Sequence, residues 1–436
     1  MDVQADRLRL LFSDLHGIER GKYLLGEWAE RKYVNFCIGT WPLTFDKEIL
    51  PIPGVQFDVG LPDMEGHLDR DSLRPGWEPD TAVGLADIRY RDRPHPLDSR
   101  EILRRAVAPW RERGLIPQCA YEFEFYLMEP GVDGRWVPVS LPSHRVYGTG
   151  MAVDPTGAVD EIVRTAVACG FDVEGWGSEF DTSTYEVNIR YRDAPEAADD
   201  AFLFRVLAHE IAARRGYLAT FLGRPIGDRG GSGLHLNLSF RREDDGSNAM
   251  ADPNDGHGIS WLARQCIAGM LAHHEGLAAI CAPTVNAYKR LLPDMLNGYW
   301  ANWGYDDRTV GVRVAPDRGA STRLESRVPY GAVNPHLMTA AILHACRLGV
   351  DAGLEPPPVQ PLGEPPNTDV RIPASLELAL QAFEADTGLC EALGPEVVTA
   401  FTMLKQAEWK RYCDAVPDPT TTEVTDWELE YYLPFY

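Results

Sequence analysis

The sequence predicts an α+β fold in two parts, a small and mostly β unit over residues 1–95 and a larger body over residues 96–436. In the first part, short apolar runs are separated by clusters of glycine and proline and show little helical periodicity. In the second part, segments that alternate apolar and polar residues are mixed with longer segments of helical periodicity. These patterns predict one curved antiparallel sheet flanked by helices in the body.

The segment 89–100, RYRDRPHPLDSR, is predicted to be a linker that leads into the first helix of the body. Asp98 is a favourable N-cap with Glu101 three residues later, and Gly114 is the expected end of that helix. The chain is predicted to be mainly helical after a proline-rich surface loop that starts at Gly353. Further helices are predicted near residues 156–169, 194–216, 258–280 and 335–351. The predicted strands are the segments PQCAYEFEFYLM, FDVEGW, YEVNIRY, YLATFL, LHLNLSF, TVGVRV and TRLESRV.

The charge and the cysteine pattern exclude several classes of protein. The net charge is -23, from 65 acidic and 42 basic residues, and it repels nucleic acid and anionic membranes, so neither is expected as a partner. None of the eight cysteines forms a CxxC pair, which argues against a zinc finger or a redox dithiol. Scattered cysteines, with no long apolar segment and no signal-peptide pattern at the N-terminus, predict a cytoplasmic location.

Four predicted strands carry charged and amide side chains on one face and large apolar side chains on the other. Residues i and i+2 of a strand share a face, so the polar residues of each strand point to the same side. Glu122 and Glu124, for example, lie opposite Phe123 and Phe125. The polar faces of the other three strands are formed by Glu186 and Asn188, by His235, Asn237 and Ser239, and by Arg323, Glu325 and Arg327.

These polar faces have two interpretations. Each strand alone is compatible with a solvated face of a one-sided sheet. If the four strands share a sheet, several carboxylates converge and need cations to neutralise them. Carboxylate oxygens with one imidazole suit Mg²⁺ or Mn²⁺, and the interspersed arginines suit a phosphate or carboxylate substrate. The pattern therefore predicts a divalent-metal-dependent enzyme with Glu122 and Glu124 at its site.

Six segments follow one another along the chain: YEFEFYL, SEFDTSTYE, RGGSGLHLNLSF, VNAYKRLLP, DDRTVGVRV and TRLESRVPYGAVNPHL. In this order they resemble motifs of the glutamine synthetase family. Weaker matches are DLHGIERGK, LRPGWEPDTA and the C-terminal EVTDWELEYYLPFY. The similarity implies a small N-terminal β-grasp-like domain followed by a glutamine synthetase-type catalytic domain with a curved antiparallel sheet.

The resemblance implies roles for individual residues. The ligands of one Mg²⁺ or Mn²⁺ ion are then Glu124, Glu179 and Glu186, and those of a second ion are Glu122, His235 and Glu325. The implied ATP-binding residues are Tyr191, Asn237, Ser239, Arg308, Arg313 and Arg323. The implied glutamate-binding residues are Gly231, Arg290 and Arg327, with Arg308 and Arg327 also expected to act in catalysis.

The implied activity is that of an ATP-dependent ligase. ATP phosphorylates the γ-carboxylate of glutamate, and an amine then displaces phosphate and leaves a γ-glutamyl amide. Family members assemble as stacked rings in which the small N-terminal domain of a neighbour completes each active site. A homo-oligomer of ten or twelve subunits is therefore expected.

The sequence departs from the family pattern where the acceptor is expected to bind. The family's ammonium-side glutamate is replaced by Leu296, and aromatic residues follow it, among them Trp300 and Trp303. The family's glutamine in GQxE is Thr184, and its asparagine before GSGMH is Gly230. A leucine cannot deprotonate ammonium, so an apolar pocket at Leu296, Trp300 and Trp303 is predicted to take an organic amine.

Other interpretations remain open from the sequence alone. A loop shift would let another acid replace the missing glutamate, and the enzyme would then be an authentic glutamine synthetase that uses ammonia. A guanidino kinase is a further possibility within the same fold, although the YKR and NPHL motifs favour the ligase. A non-catalytic glutamine-synthetase-like protein is the alternative outside enzymes, but all six positions of metal ligands are filled.

Overall fold

The computed structural model describes residues 5–141, 143–293 and 295–436. Two sheets are present in these residues, one formed before residue 95 and one formed after residue 114. Helices pack against the second sheet and against one another, which confirms the predicted α+β fold class with a curved antiparallel sheet. The division into domains at residue 95 stays a prediction.

The first sheet has six strands in the order β2-β1-β5-β4-β3, with β6 paired to β5. β1 and β5 are parallel, and the other pairs are antiparallel. β5 extends through Tyr90 and then pairs with β6, so the predicted linker at 89–100 is wrong over its first half. The strands are β1 (Arg7–Ser13), β2 (Glu19–Leu25), β3 (Val34–Cys37), β4 (Asp63–Pro75), β5 (Thr81–Tyr90) and β6 (Arg93–Pro94).

The second sheet has nine strands, with the order β13-β14-β15-β12-β7-β10-β9 and with β8 and β11 paired to β7. All its pairs are antiparallel except β13 with β14. The strands are β7 (Leu115–Pro130), β8 (Trp136–Pro138), β9 (Val173–Ser178), β10 (Thr184–Asp193), β11 (Leu218–Thr220), β12 (Leu234–Arg242), β13 (Trp303–Tyr305), β14 (Val312–Val314) and β15 (Leu324–Ser326).

Eleven α-helices occur in the described residues. Asp98 caps the first of them by accepting a hydrogen bond from the Arg100 backbone N–H, as predicted. The segment predicted as one helix over 258–280 forms two helices that meet at His273. The helices are α1 (Ser99–Arg111), α2 (Ala158–Ala168), α3 (Ala194–Arg214), α4 (Trp261–Ala272), α5 (His274–Cys281), α6 (Ala287–Arg290), α7 (Pro335–Asp351), α8 (Leu376–Ala385), α9 (Thr387–Leu393), α10 (Pro395–Ala415) and α11 (Asp426–Tyr432).

The apolar face of the second sheet forms the centre of the core. Phe123 on β7 packs against Phe204 of α3, with ring centroids 4.9 Å apart, and Phe125 packs against Phe221 at 5.3 Å. Tyr185 and the other apolar residues of the neighbouring strands are buried on the same side. Since helices cover this face, the polar side chains of the same strands are directed to the opposite face.

A buried arginine joins the regions of the two sheets. Arg100 on α1 donates to both carboxylate oxygens of Asp199 on α3 at 2.9 Å, and also to Asp69 and Asp87 in the first sheet. The planar guanidinium group has enough donors to bind three carboxylates at once.

Within the described ranges, no helix combines the length and the apolar character needed to cross a membrane.

Candidate active site

The register of the second sheet places the predicted site residues beside one another. Glu122 on β7 lies opposite His235 of β12 on one side and opposite Asn188 of β10 on the other. Glu124 lies opposite Glu186 of β10. Asn237 of β12 lies opposite Glu325 of β15, so the four polar faces form one surface, as the interpretation of convergence requires.

Glu122, His235 and Glu325 form a compact group that we call the histidine trio. His235 Nδ1 lies 3.2 Å from Glu122 Oε2 and 3.5 Å from Glu325 Oε1, and one potential ligand atom from each residue falls within 4.8 Å of the others. His235 is 4% exposed and Glu325 is 1% exposed, so their strand faces are not solvated as the alternative interpretation required. Two carboxylates and an imidazole are suitable ligands for Mg²⁺ or Mn²⁺.

Cationic side chains partly balance the histidine trio. Arg313 donates to Glu325 Oε2 at 2.7 Å, and Arg327 donates to Glu325 Oε1. Burial by itself would raise the pKa of Glu325, but His235 and Arg327 lower it below its usual value. Burial also acts to raise the pKa of Glu122, yet hydrogen bonds from His235 and Asn237 lower it to about 2. The two carboxylates of the histidine trio therefore remain ionised near neutral pH.

Glu124, Glu179 and Glu186 form a second group, which we call the glutamate trio. Burial and repulsion from Glu124 and Glu186 raise the pKa of Glu179 to about 7. Burial also raises the pKa of Glu186, although Asn188 donates to its carboxylate at 2.9 Å. These carboxylates lack the arginine contacts of the histidine trio among the described residues, so a divalent cation would relieve their repulsion.

A cleft of about 1120 Å³ adjoins the histidine trio and contains much of the predicted ATP site. Glu122 contributes to its lining, as do Tyr191 and Ser239. Arg323 and Asn237 also line the cleft, and Arg323 Nε donates to Asn237 Oδ1 at 3.1 Å. The structure thus brings together four of the six residues predicted to bind ATP.

The other two predicted ATP-binding arginines are placed differently. Arg313 is buried and divides its donors between Glu325 and Asp306, which it contacts at 2.6 Å. Arg308 is exposed in the turn between β13 and β14 and does not line the cleft in the described residues. Of the three predicted arginines, Arg323 therefore faces the cleft directly.

Two of the three residues predicted to bind glutamate, Arg290 and Arg327, lie next to the metal-ligand candidates. Gly233 donates its N–H to Glu124 Oε2 at 2.5 Å and lies close to Arg290, because a Cβ at position 233 would be 2.8 Å from Arg290 Nη2. A Cβ at Gly231 would be 2.6 Å from Arg290 Cγ. Arg327 contacts the histidine trio through Glu325. Arg290 and Arg327 therefore border the carboxylates of the site, and Gly231 packs against Arg290.

The predicted amine pocket is only partly supported by the positions of its residues. The Leu296 side chain is 59% exposed, while its backbone carbonyl accepts a hydrogen bond from Arg327 Nη2 at 3.1 Å. Trp300 is half-buried against Tyr299. Trp303 is 2% exposed and donates its indole N–H to the Pro357 carbonyl, so it belongs to the core and does not line an open pocket.

Three contacts of the site are not predicted by the sequence. Asn188 lies on a predicted polar face, but the sequence assigns it no role, and it binds Glu186. The Gly233 amide contacts Glu124, and Asp306 pairs with Arg313. Period-two alternation is a sufficient signal for Asn188, whereas the contacts of Gly233 and Asp306 depend on loop conformations that carry no such periodicity.

Comparisons with known proteins agree with this geometry. The protein-family model for the glutamine synthetase catalytic domain matches residues 96–432 of this chain. Glutamine synthetase of Clostridium saccharobutylicum is 31% identical over an alignment that covers 98% of this chain and 96% of the relative. Glutamate–isopropylamine ligase of a Pseudomonas species is also 31% identical, with 98% and 95% covered.

A solved complex of GmaS with ADP has the same fold. Its TM-score is 0.82 at 27% sequence identity, and the match covers 99% of this chain and 97% of that chain. The family match over most of the chain, the full-length relatives and the convergence of carboxylates beside the cleft lead to one conclusion. The chain belongs to the glutamine synthetase family and is an ATP-dependent carbon–nitrogen ligase.

Proposed function

We propose that this ligase joins the γ-carboxylate of glutamate to an organic amine and so forms a γ-glutamylamide. The observation that carries the proposal is Leu296, an exposed apolar side chain at the position where ammonia-using relatives are expected to have a glutamate. The Leu296 carbonyl is bonded to Arg327, which keeps this residue beside the predicted glutamate site. An apolar side chain there favours the carbon substituent of an amine over ammonium.

Each group of residues has a distinct role in the proposed reaction. Arg290, Arg327 and the Gly231 backbone hold glutamate, and Arg323 holds the phosphates of ATP in the cleft. The histidine trio and the glutamate trio are suited to hold divalent cations, Mg²⁺ or Mn²⁺, which would neutralise phosphate charge during transfer. Positioning and electrostatic stabilisation account for most of the catalysis in such transfers.

The reaction proceeds in two steps. An oxygen of the γ-carboxylate of glutamate attacks the γ-phosphorus of ATP, the bond to the bridging oxygen breaks, and ADP leaves. The amine nitrogen then attacks the acyl carbon, loses a proton, and phosphate leaves. An ammonium or alkylammonium ion must first lose a proton before its nitrogen can attack, and position 296 offers no carboxylate to accept it, so an amine that is already neutral is the most suitable acceptor. Aryl amines meet this condition near neutral pH, while alkyl amines and polyamines are almost fully protonated there.

The relatives support the ligase class, but they do not decide between ammonia and an organic amine as the acceptor. One relative is a glutamine synthetase and another is a glutamate–isopropylamine ligase, and both are 31% identical to this chain. Ammonia is therefore the second candidate acceptor. Overall identity does not distinguish the two, because the acceptor depends on few residues.

The deciding experiment measures ADP release with saturating glutamate and ATP and with each acceptor in turn. The acceptors are ammonium, methylamine, isopropylamine, putrescine and aniline, and mass spectrometry identifies each product. We expect kcat/KM for the best organic amine to exceed that for ammonium at least about tenfold, which is the discrimination that one added apolar group provides in a pocket. Ammonium turnover as efficient as that of the best amine would overturn the proposal in favour of glutamine synthetase.

We also propose that the enzyme assembles into stacked rings of ten or twelve subunits, with each site completed by a neighbour's N-terminal unit. The proposal rests on membership of the family. Light scattering of the purified protein tests it, and a monomer that turns over substrate at full rate would contradict it.

A further inference from the structure

Two segments that border the predicted glutamate site lie outside the sheet and need other support. One is the four-residue helix α6, which ends with Arg290. The other is the glycine-rich loop over residues 227–233, which precedes β12. The two segments are in close contact, since a Cβ at Gly231 would lie 2.6 Å from Arg290 Cγ. Small movements of either segment would therefore change the spacing between the Arg290 guanidinium and the loop amides.

Arg224 connects these two segments directly. Its Nη1 donates to the Lys289 carbonyl at 2.8 Å, one residue before Arg290, and its Nε donates to the Arg229 carbonyl at 3.2 Å in the glycine-rich loop. A guanidinium group presents several donors in a fixed plane, so it can hold two carbonyl groups at a defined separation. The ammonium group of a lysine has a single nitrogen and cannot reproduce this spacing.

The backbone of Arg224 is fixed as well. The Asn286 side chain accepts from the Arg224 N–H at 2.7 Å and donates to the Arg224 carbonyl at 2.9 Å. The same amide donates to Glu428 at 2.8 Å, and Glu428 belongs to the capping box that begins α11. Asn286 and Glu428 are both buried. Arg224 is therefore a rigid connection supported from the C-terminal helix.

We propose that Arg224 is a positioning residue for glutamate binding, because it sets the distance between Arg290 and the glycine-rich loop. The inference rests on the proposed glutamate site at Arg290 and Gly231. Arg224 does not line the cleft that contains the predicted ATP residues. Its loss is thus expected to weaken the binding of glutamate and to leave the binding of ADP unchanged.

The test is calorimetric titration of the full-length protein with L-glutamate and, separately, with ADP, both with magnesium chloride and without any acceptor. In Arg224→Ala we expect the Kd for glutamate to rise roughly tenfold, as when a hydrogen bond from a charged group is lost, and the Kd for ADP to stay within about twofold. Arg224→Lys keeps the charge but is expected to show a similar weakening, because the spacing is lost.

Arg215→Ala provides the matched control. Arg215 also donates to two backbone carbonyls, those of Thr156 and Gly157, but these lie in the loop before α2. We expect this variant to bind glutamate and ADP as the wild type does. A normal glutamate Kd in Arg224→Lys would show a charge effect, and equal weakening of ADP would show general loss of structure. Either result overturns the positioning role.

The same measurement separates this inference from the proposed function. A wild type that does not bind glutamate refutes the glutamate site and the role of Arg224 together. A wild type that binds glutamate normally, with Arg224→Ala and Arg224→Lys unchanged, refutes Arg224 alone. Whether an organic amine or ammonium is the better acceptor does not affect either titration.

Discussion

Five of the six metal-ligand candidates stand on paired strands and Glu179 directly follows β9, whereas Leu296 stands on a loop between α6 and β13. The side chains of Glu122 and His235 are fixed by neighbouring strands in register, with carboxylate and imidazole 3.2 Å apart. Leu296 is tied through its backbone carbonyl, and its side chain is exposed. In the proposed reaction, the rigid part of the site would serve phosphoryl transfer, and the adaptable part lies where the acceptor is expected.

The largest expected effect comes from breaking the rigid side. Glu122→Ala removes one carboxylate of the histidine trio and leaves His235 and Glu325 without it. We expect ADP release to fall on the order of 10³-fold, since a bound cation contributes several kcal/mol to stabilising the transition state. The thermal shift that an ATP analogue produces in the presence of magnesium should also disappear.

Glu129→Ala is the control for this substitution. Glu129 lies on the same strand, but its carboxylate accepts from the Ser140 N–H at 3.0 Å and takes no part in either trio. Activity in this variant should match the wild type. If both variants lost activity equally, the effect would belong to β7 as a whole, and the assignment of Glu122 as a ligand would be wrong.

A substitution at Leu296 tests the adaptable side. Leu296→Glu introduces the carboxylate expected in ammonia-using relatives, and the backbone bond to Arg327 does not depend on the side chain. We expect kcat/KM for ammonium to rise on the order of tenfold, because a carboxylate attracts the ammonium ion and accepts its proton. The value for isopropylamine should fall by about as much, since an apolar contact is lost.

Met295→Glu is the matched control, because it places the same charge one residue away on the same loop. We expect little change in the preference between ammonium and isopropylamine. If Met295→Glu shifted the preference as strongly as Leu296→Glu, the effect would be one of loop charge. The contrast between the metal-ligand candidates on the strands and a specific acceptor position at Leu296 would then not hold.

The two sides of the site also differ in how well the sequence predicts them. Alternation along a strand fixes which side chains share a face, and it correctly places Glu122, His235 and Glu325 on converging polar faces. No comparable rule applies to residues 291–303, where the sequence shows neither strand nor helix periodicity. The aromatic residues there give no indication that Trp303 is buried against Pro357, nor that Leu296 approaches the site through its carbonyl.

The smallest expected effect concerns the two trios, whose carboxylate pKa values are shifted in opposite directions. The pKa values of Glu122 and Glu325 are lowered, whereas those of Glu179 and Glu186 are raised. In the metal-free protein burial and repulsion raise the pKa of Glu179 to about 7, above the value of about 4.3 for an exposed glutamate. Between these values the folded protein holds a proton that the unfolded chain lacks, so stability falls as the pH rises toward 7. A divalent cation replaces that proton, and its stabilising effect should therefore grow with pH.

Thermal unfolding with and without manganese chloride, at about pH 6 and about pH 8, measures this effect. We expect the increase in Tm caused by manganese to be a few degrees larger at the higher pH. Glu122 does not contribute to the difference, because its pKa of about 2 leaves it ionised at both pH values.

Glu179→Gln assigns the pH dependence to the glutamate trio. This variant keeps the shape of the side chain but carries no titrating group, so its shift with manganese should be smaller and nearly equal at the two pH values. An equal manganese effect in the wild type at both pH values would show that side chains of the protein, rather than a metal ion, already balance the charge of the glutamate trio. In the described part of the chain, the arginine contacts go to the histidine trio. Such a result would mean that the protein itself neutralises both groups of carboxylates, and the difference between the two trios would disappear.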